Sequence, residues 1–277
     1  MPTVHHPFAY ALGPLQITGF GLAVLLAFVI SQYISQAELA RRGHDPAPIP
    51  DLVFAAVIGT LIGAKLYYVA VITHDWRDIF SRAGFVFWGG FMGSVALCAL
   101  VIWKKNLRFT RISDVAGIAI AAGYSVGRTG CWAVGDDYGR PWASRFAVAF
   151  PEGAPPSTAG NMAQLFGMSS PPGTSPYTVL SVYPTQLYET VLGFVMFTIL
   201  WRYRGHKHAE GWLFGLYLVL AGAERFAIEF LRAKDDREFG PLTVAQVIAL
   251  TAIAIGTVWM YARKDVGPGA PGIYATQ

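Results

Sequence analysis

The chain has 277 residues, 54% of them apolar and 14% charged, with a formal net charge of +4. Its mean hydropathy is +0.42 and its isoelectric point about 9.1. An apolar surplus of this size, with 18 Phe, 13 Tyr and 8 Trp, exceeds what a soluble core of this length buries, so the composition excludes an ordinary water-soluble domain and points to a multi-spanning membrane protein. The basic residues are scattered over loops and read as topology signals, so no nucleic-acid partner is expected. Cys98 lies in an apolar segment and Cys131 in a polar run. Neither a structural disulfide nor a paired-cysteine metal site is expected from them, and no metal or cofactor is implied. The N-terminal run MPTVHHPFAY lacks the basic region of a cleavable signal peptide, so the first apolar segment is expected to remain as a helix.

A membrane-crossing helix needs about 20 mainly apolar residues. Seven segments meet that requirement: 15–38, 51–73, 84–103, 112–135, 184–203, 211–231 and 241–262. Their long apolar runs lack strict alternation, which favours helices over a β-barrel. Pro50 and Pro184 stand at helix starts, and Asp51 suits an N-terminus. The expected fold is therefore all-α and polytopic, with about seven spans in a single membrane domain over residues 1–277. Arg41 and Arg42, then Lys104, Lys105, Arg108 and Arg111, then Arg202, Arg204 and Lys207, then Arg263 and Lys264 occupy alternate loops. The positive-inside rule makes that side cytoplasmic, with the N-terminus outside and the C-terminus inside. Arg77, Arg82, Arg140, Arg145, Lys234 and Arg237 fall on the outer side, so the bias is not absolute, and several of these arginines are expected to be retained for function. Residues 136–183, rich in Pro, Gly, Ser and Thr, form an expected extracytoplasmic loop or cap; loops this long are usually functional or disordered.

Four features share the outer half of the membrane on this topology. Gly127–Arg140 reads G-R-T-G-C-W-A-V-G-D-D-Y-G-R, placing Arg128, Asp136, Asp137 and Arg140 beside hydrocarbon, where ionisable groups mark functional sites by default. F-W-G-G-F-M-G at 87–93 has two readings: Gly89 and Gly90 offer N–H groups to an anion at a helix start, or they allow close helix packing. Y-P-T-Q-L-Y-E at 183–189 likewise leaves Gln186, Tyr188 and Glu189 open between a role at a site and ordinary roles as interfacial anchors and a first-turn carboxylate. In the sixth span Arg225, Glu229 and Arg232 follow i, i+4, i+7 spacing, one polar stripe on a helix in which Glu229 can pair with either arginine. Arg225 lies deeper and reads as functional; Arg232 and Lys234 read as paired or snorkelling near the interface. Lys65, inside the second span, reads as a tether to a carboxylate or carbonyl. Arginines converging from two helices suit a phosphate ester on an amphiphile, because the guanidinium fork binds phosphate bidentately and stays charged when partly buried.

In this order and on these helices, the motifs resemble the prolipoprotein diacylglyceryl transferases of bacteria. The similarity runs along essentially the whole chain: I-G-A-K-L-Y-Y at 62–68, W-G-G-F-M-G at 88–93, the 127–140 signature, P-T-Q-L-Y-E at 184–189, E-R-F-A-I-E-F-L-R at 224–232 and L-T-V-A-Q at 242–246. The resemblance implies transfer of a diacylglyceryl group from phosphatidylglycerol to the cysteine thiol of a prolipoprotein lipobox, at the outer face of the bacterial inner membrane, with release of glycerol phosphate. It implies that Arg128 binds the phosphatidylglycerol headgroup, with Arg140, Gly89, Gly90, Gln186 and Tyr188 around it. It places Arg225, Glu229 and Asp136 in the catalytic group and makes membrane lipids the surroundings. The chain departs from the family pattern at several positions: Trp88 stands where histidine is usual, Cys131 and Val134 where asparagines are, Asp136 where glutamate is, Thr18 where tyrosine is common and Lys65 where arginine is. Without the histidine, Asp136 or Glu229 becomes the base. The alternative is a divergent member that binds or transports phospholipid without this activity, or uses a different acceptor.

Overall fold

A computed structural model describes residues 3–12, 15–81, 86–169, 171–234 and 241–265; Arg82 and Arg237 lie outside them. The described residues are mostly helical. In chain order the helices are α1 (Gly19–Arg41), α2 (Ile49–Tyr67), α3 (Phe87–Lys104), α4 (Phe109–Val134), α5 (Ala159–Phe166), α6 (Thr185–Tyr203), α7 (Trp212–Glu229) and α8 (Val244–Ala262). Every expected apolar segment overlaps one of the long helices, with ends that differ by a few residues. Pro50 falls in the first turn of α2, where its missing N–H costs nothing, and Pro184 immediately precedes α6. Among the described residues, five short strands depart from the all-α expectation: β1 (Thr3–Val4), β2 (Ala9–Leu12), β3 (Leu15–Thr18), β4 (Val148–Ala149) and β5 (Ser181–Val182).

Among the described residues, four helical stretches are long and apolar enough to cross a membrane: Gly19–Arg41, Ile49–Thr73, Phe87–Lys104 and Val244–Ala262. The second is α2 continued by a π-helical turn, Tyr68–Thr73. Their apolar side chains face outward in quantity, as with Phe20, Leu22, Leu25, Leu26 and Val29 of α1, which suits lipid better than water. Helices α4, α6 and α7, of 26, 19 and 18 residues, fall outside this set, and they carry the charged motifs.

The chain divides into two compact units, Gln32–Val115 and the pair Met1–Ser31 with Ala116–Gln277. In the first, α2 and α3 meet along a seam of glycines. A Cβ on Gly89 would run into the Gly63 carbonyl and Tyr67, and one on Gly93 into the Gly59 carbonyl, so small residues on both helices let the backbones touch. Lys65 Nζ donates to the Ser81 carbonyl at 2.5 Å. At the other end of α2 a core of Leu39, Ile49, Leu52, Ile112 and Val115 sits beside a buried ionic group. There Arg41 and Arg42 both donate to Glu38, and Arg42 reaches Asp114 at 3.4 Å.

In the other unit α7 packs on α8, with Gly215 and Gly222 facing Gly256 and Ala249 across the seam. The described part of residues 136–183 is folded. Strand β4 pairs in parallel with β1 and antiparallel with β5, and α5 closes over them. Tyr138, Val148, Phe150, Met162, Val182 and Ala233 form the core of this cap, with Trp132 and Phe166 packed against it. Ser157, fully buried, accepts from the Phe150 N–H at 3.0 Å and donates to the Leu180 carbonyl at 2.8 Å, so its hydroxyl is satisfied. Strands β2 and β3 pair antiparallel, Tyr10 opposite Ile17.

Candidate active site

The end of α4 sets the geometry. After Val134 the chain turns through Gly135, whose φ of +70° is open to glycine at little cost. The Gly135 and Asp136 N–H groups both donate to the Cys131 carbonyl, closing the helix. Asp137 then takes a left-handed conformation, φ +56°, one that Asp tolerates better than most residues. This double reversal folds the carboxylates back over the end of α4, where Asp137 meets Arg128, which lies before the helix's last turn. Two residues on, Gly139 forms a bridge with Arg232 and comes so close to the Leu231 carbonyl, Tyr183 and Thr185 that a Cβ would clash with all three.

The side chains that meet here form an alternating charge cluster. Arg128 donates through Nη2 to Glu189 Oε1 at 2.5 Å and through Nη1 to Asp137 Oδ2 at 2.6 Å. Arg232 donates through Nη2 to Asp137 Oδ1 at 2.5 Å, and its Nη1 lies 3.6 Å from Glu189 Oε1. Two guanidiniums are thus bridged by two carboxylates. Glu189 is fully buried, whereas the Asp137 side chain is 40% exposed. Arg128 also donates to Cys131 Sγ at 3.3 Å and lies 5.6 Å from the Tyr124 ring centroid, and the Tyr124 hydroxyl donates to Glu224 at 3.0 Å.

The surroundings fix this cluster from behind. Gln186 Nε2 donates to the Asp136 carbonyl at 2.5 Å and Thr185 Oγ1 to the Asp137 carbonyl at 2.7 Å, so the start of α6 holds both aspartates by their main chain. Arg140 donates from Nε to the Arg232 carbonyl at 3.1 Å and from its N–H to the Leu231 carbonyl. Its role in the structure is to brace the segment carrying Arg232. Tyr188 is half-buried on the first turn of α6.

Arg225 pairs with Glu229 at 2.6 Å, and Glu229 Oε1 accepts from Thr243 Oγ1 at 3.1 Å. Thr243 is the N-cap of α8 and makes a full capping box with Gln246, which fixes its hydroxyl and through it Glu229. The expected stripe of Arg225, Glu229 and Arg232 does not continue to its third member. Helix α7 stops at Glu229, and the bridge with Gly139 carries Arg232 off the helix toward Arg128. Gly89 and Gly90 belong to the other unit. There the Gly90 N–H is taken by the Val86 carbonyl and both glycines lie in the α2–α3 seam.

Several polar atoms around the cluster are buried with no hydrogen-bond partner: Arg128 Nε, Asp136 Oδ1, Gln186 Oε1, Glu189 Oε2 and Arg225 Nη1. Such atoms are rare in finished cores, and their concentration here marks a place prepared for polar chemistry. Burial, then the neighbouring Asp137, push the Asp136 carboxyl up to about 6. For Asp137 burial acts in the same upward direction, but Arg232 and Arg128 outweigh it and bring the carboxyl down to about 2. Cys131, Asp136 and Asp137 present ligand atoms within 4.8 Å of one another. Two guanidiniums already hold both oxygens of Asp137, a field that favours an anion over a metal ion.

From sequence, Glu189 is open between a site role and a first-turn carboxylate, Arg232 reads as paired or snorkelling, and Asp137 is marked only as part of the charged 127–140 run. The pairing of acidic and basic residues across distant motifs was the available signal.

A helical membrane protein with a ring of paired charge where its helices meet a folded cap is the class these features define. A family model described as prolipoprotein diacylglyceryl transferase matches residues 7–262, and the chain belongs to that family. It is similar to the phosphatidylglycerol–prolipoprotein diacylglyceryl transferase of Paraburkholderia phymatum, 30% identical with 93% of this chain and 94% of the relative covered. It is also similar to those of Burkholderia thailandensis and Burkholderia mallei, each 29% identical over 95% of this chain and 97% of the relative.

Proposed function

We propose that this protein transfers the diacylglyceryl group of phosphatidylglycerol to the thiol of a prolipoprotein lipobox cysteine, releasing glycerol phosphate. The observation that carries the reading is the Arg128–Arg232 pair, two guanidiniums within one cluster at the end of α4, in a chain of this family. The carbon–oxygen bond to the phosphate breaks as the sulfur–carbon bond forms, and the electron pair goes to the phosphate oxygen. A guanidinium fork at that oxygen stabilises the charge as it develops.

The thiol must lose its proton to attack, since the thiolate is the nucleophile. Asp136 is the base in this reading. Its carboxyl, raised to about 6 by burial and by Asp137, has an unpartnered buried oxygen and lies beside Cys131. A base poised near the working pH transfers protons most effectively. Glu229, held by Arg225 and Thr243 and 1% exposed, instead positions Arg225, which takes the second face of the lipid headgroup. Gln186 and Arg140 fix the backbone of the aspartates and of Arg232, and Tyr188 flanks the entry. Gly89 and Gly90 serve the close packing of α2 and α3.

All seven long helices cross the bacterial inner membrane in this reading, as one integral membrane protein. The charged motifs of α4, α6 and α7 are accommodated because they satisfy one another. The N-terminus and the 136–183 cap face outward, the C-terminus faces the cytoplasm, and the site opens to the outer leaflet and its lipids. Trp88, where the family commonly carries histidine, favours a second reading: phospholipid binding without transfer.

One experiment separates them. Purified protein is incubated with radiolabelled phosphatidylglycerol and a lipobox peptide, beside Arg128→Ala. Thioether product above that of the variant supports the transferase. Lipid binding that the variant loses, with no product from either protein, leaves the binding reading.

A further inference from the structure

Asp137 is held unlike the other carboxylates of the cluster. Glu189 and Glu229 are enclosed, whereas Asp137 stands on the open side with its side chain 40% exposed. Each of its oxygens is bound to a different guanidinium, Oδ2 to Arg128 at 2.6 Å and Oδ1 to Arg232 at 2.5 Å. Its place is secured through the main chain, by the left-handed turn and by Thr185, and not by its carboxylate. The carboxylate can therefore leave by side-chain rotation alone, with the backbone left where it is.

A phosphodiester carries the same single negative charge as a carboxylate and offers two non-bridging oxygens to the same N–H donors. We propose that Asp137 occupies the phosphate seat of the Arg128–Arg232 pair and is displaced by the lipid phosphate, so that Asp137 sets the affinity of the seat for its ligand.

The exchange conserves charge. With Glu189 staying behind the two arginines, one anion replaces another and the cluster remains neutral. Weakly held anions, which cannot outcompete a tethered carboxylate, stay out. After transfer the product is a phosphate monoester with a second negative charge. Returning Asp137 to the seat then helps expel it. This inference rests on the reading of Arg128 as the headgroup arginine, and it concerns the binding of phosphate, not the transfer step.

The test uses full-length protein in detergent and sn-glycerol 1-phosphate as a soluble probe, with Asp137→Asn and Asp137→Gly. Both replacements accept a left-handed backbone. Removing a competing like charge at this distance is expected to tighten probe binding by roughly tenfold, and to lower KM for phosphatidylglycerol with a smaller change in kcat. Arg232→Ala is expected to abolish the gain. Unchanged or weaker probe binding in both folded variants overturns the proposal, even where transfer proceeds. Tighter binding in a protein with no transfer activity upholds it and removes the transferase reading instead. Should both variants fail to fold, infrared difference spectra of the wild-type protein decide. A carboxylate band shifted by the probe supports displacement, and an unshifted spectrum with bound probe contradicts it.

Discussion

Glu189 and Arg128 lie 61 positions apart and share a 2.5 Å hydrogen bond, with the Glu189 side chain wholly removed from solvent. Because Glu189 also faces Arg232 at 3.6 Å, it is the inner counter-charge for both guanidiniums. Removing one member of a buried ion pair leaves the other uncompensated, at a cost of about 3–5 kcal/mol. Glu189→Ala is therefore expected to unfold far below the wild-type temperature in detergent, and Glu189→Gln, which keeps the shape, to sit between them. Thermal unfolding followed by tryptophan fluorescence checks the order.

Arg128 needs its planar fork as well as its charge, because its two Nη atoms serve different carboxylates. Lysine supplies a point charge and no fork. Arg128→Lys is expected to lose transfer by a factor of roughly 10²–10³, the scale of removing one transition-state donor, while remaining folded. A lysine variant with transfer close to wild type contradicts the assignment.

Asp136 gives a pH signature. With its carboxyl raised to about 6, the base form accumulates as pH rises through that value, so kcat/KM should climb across pH 5–7. Asp136→Asn should remove that limb along with most of the rate. Stability runs the opposite way. A raised carboxyl favours the folded state while protonated, so its contribution is present below the ordinary value of 3.8 and is lost as pH rises through about 6. Asp137, lowered to about 2, contributes above 3.8 and loses that contribution as pH falls toward 2. Unfolding midpoints measured from pH 3 to 8 should show Asp136→Asn gaining on the wild type as pH rises.

Thr243 links a helix cap to the site, since its hydroxyl accepts from the Gln246 N–H and donates to Glu229. Thr243→Ala should cost about 1 kcal/mol from the lost cap and more from the buried Glu229 oxygen left without a donor. Thr243→Ser should restore most of both. Unfolding temperatures of the two variants, with their transfer rates, test whether Glu229 positions Arg225.

Gly63 and Gly89 face each other so closely that an added Cβ on either meets backbone of the other helix. Gly89→Val is expected to destabilise the α2–α3 seam by about 1–3 kcal/mol or to prevent folding. Near-normal stability contradicts the packing role.

Much of this was legible in the sequence because hydrocarbon imposes strong rules. Apolar runs near 20 residues gave each long helix to within a few residues, and Pro50 and Pro184 marked two of their starts. Arg128 stood out because charge beside apolar sequence needs a reason. The cap was harder, since its strands are two residues long and its fold comes from a small core of residues far apart in the chain. Arg232 was misplaced because helical spacing says nothing about where a helix ends. The Gly139–Arg232 bridge, a tertiary contact, decides that Arg232 joins Arg128. Asp137 looked like one acidic residue among several until its left-handed backbone turned it onto two arginines.

The most direct test of the central claim follows glycerol phosphate release and thioether formation together, from phosphatidylglycerol and a lipobox peptide, in the wild type and in Arg128→Ala. The account predicts that the two products appear in equal amounts and that both disappear in the variant. Glycerol phosphate released without thioether, or a thioether formed at the wild-type rate by Arg128→Ala, would contradict it.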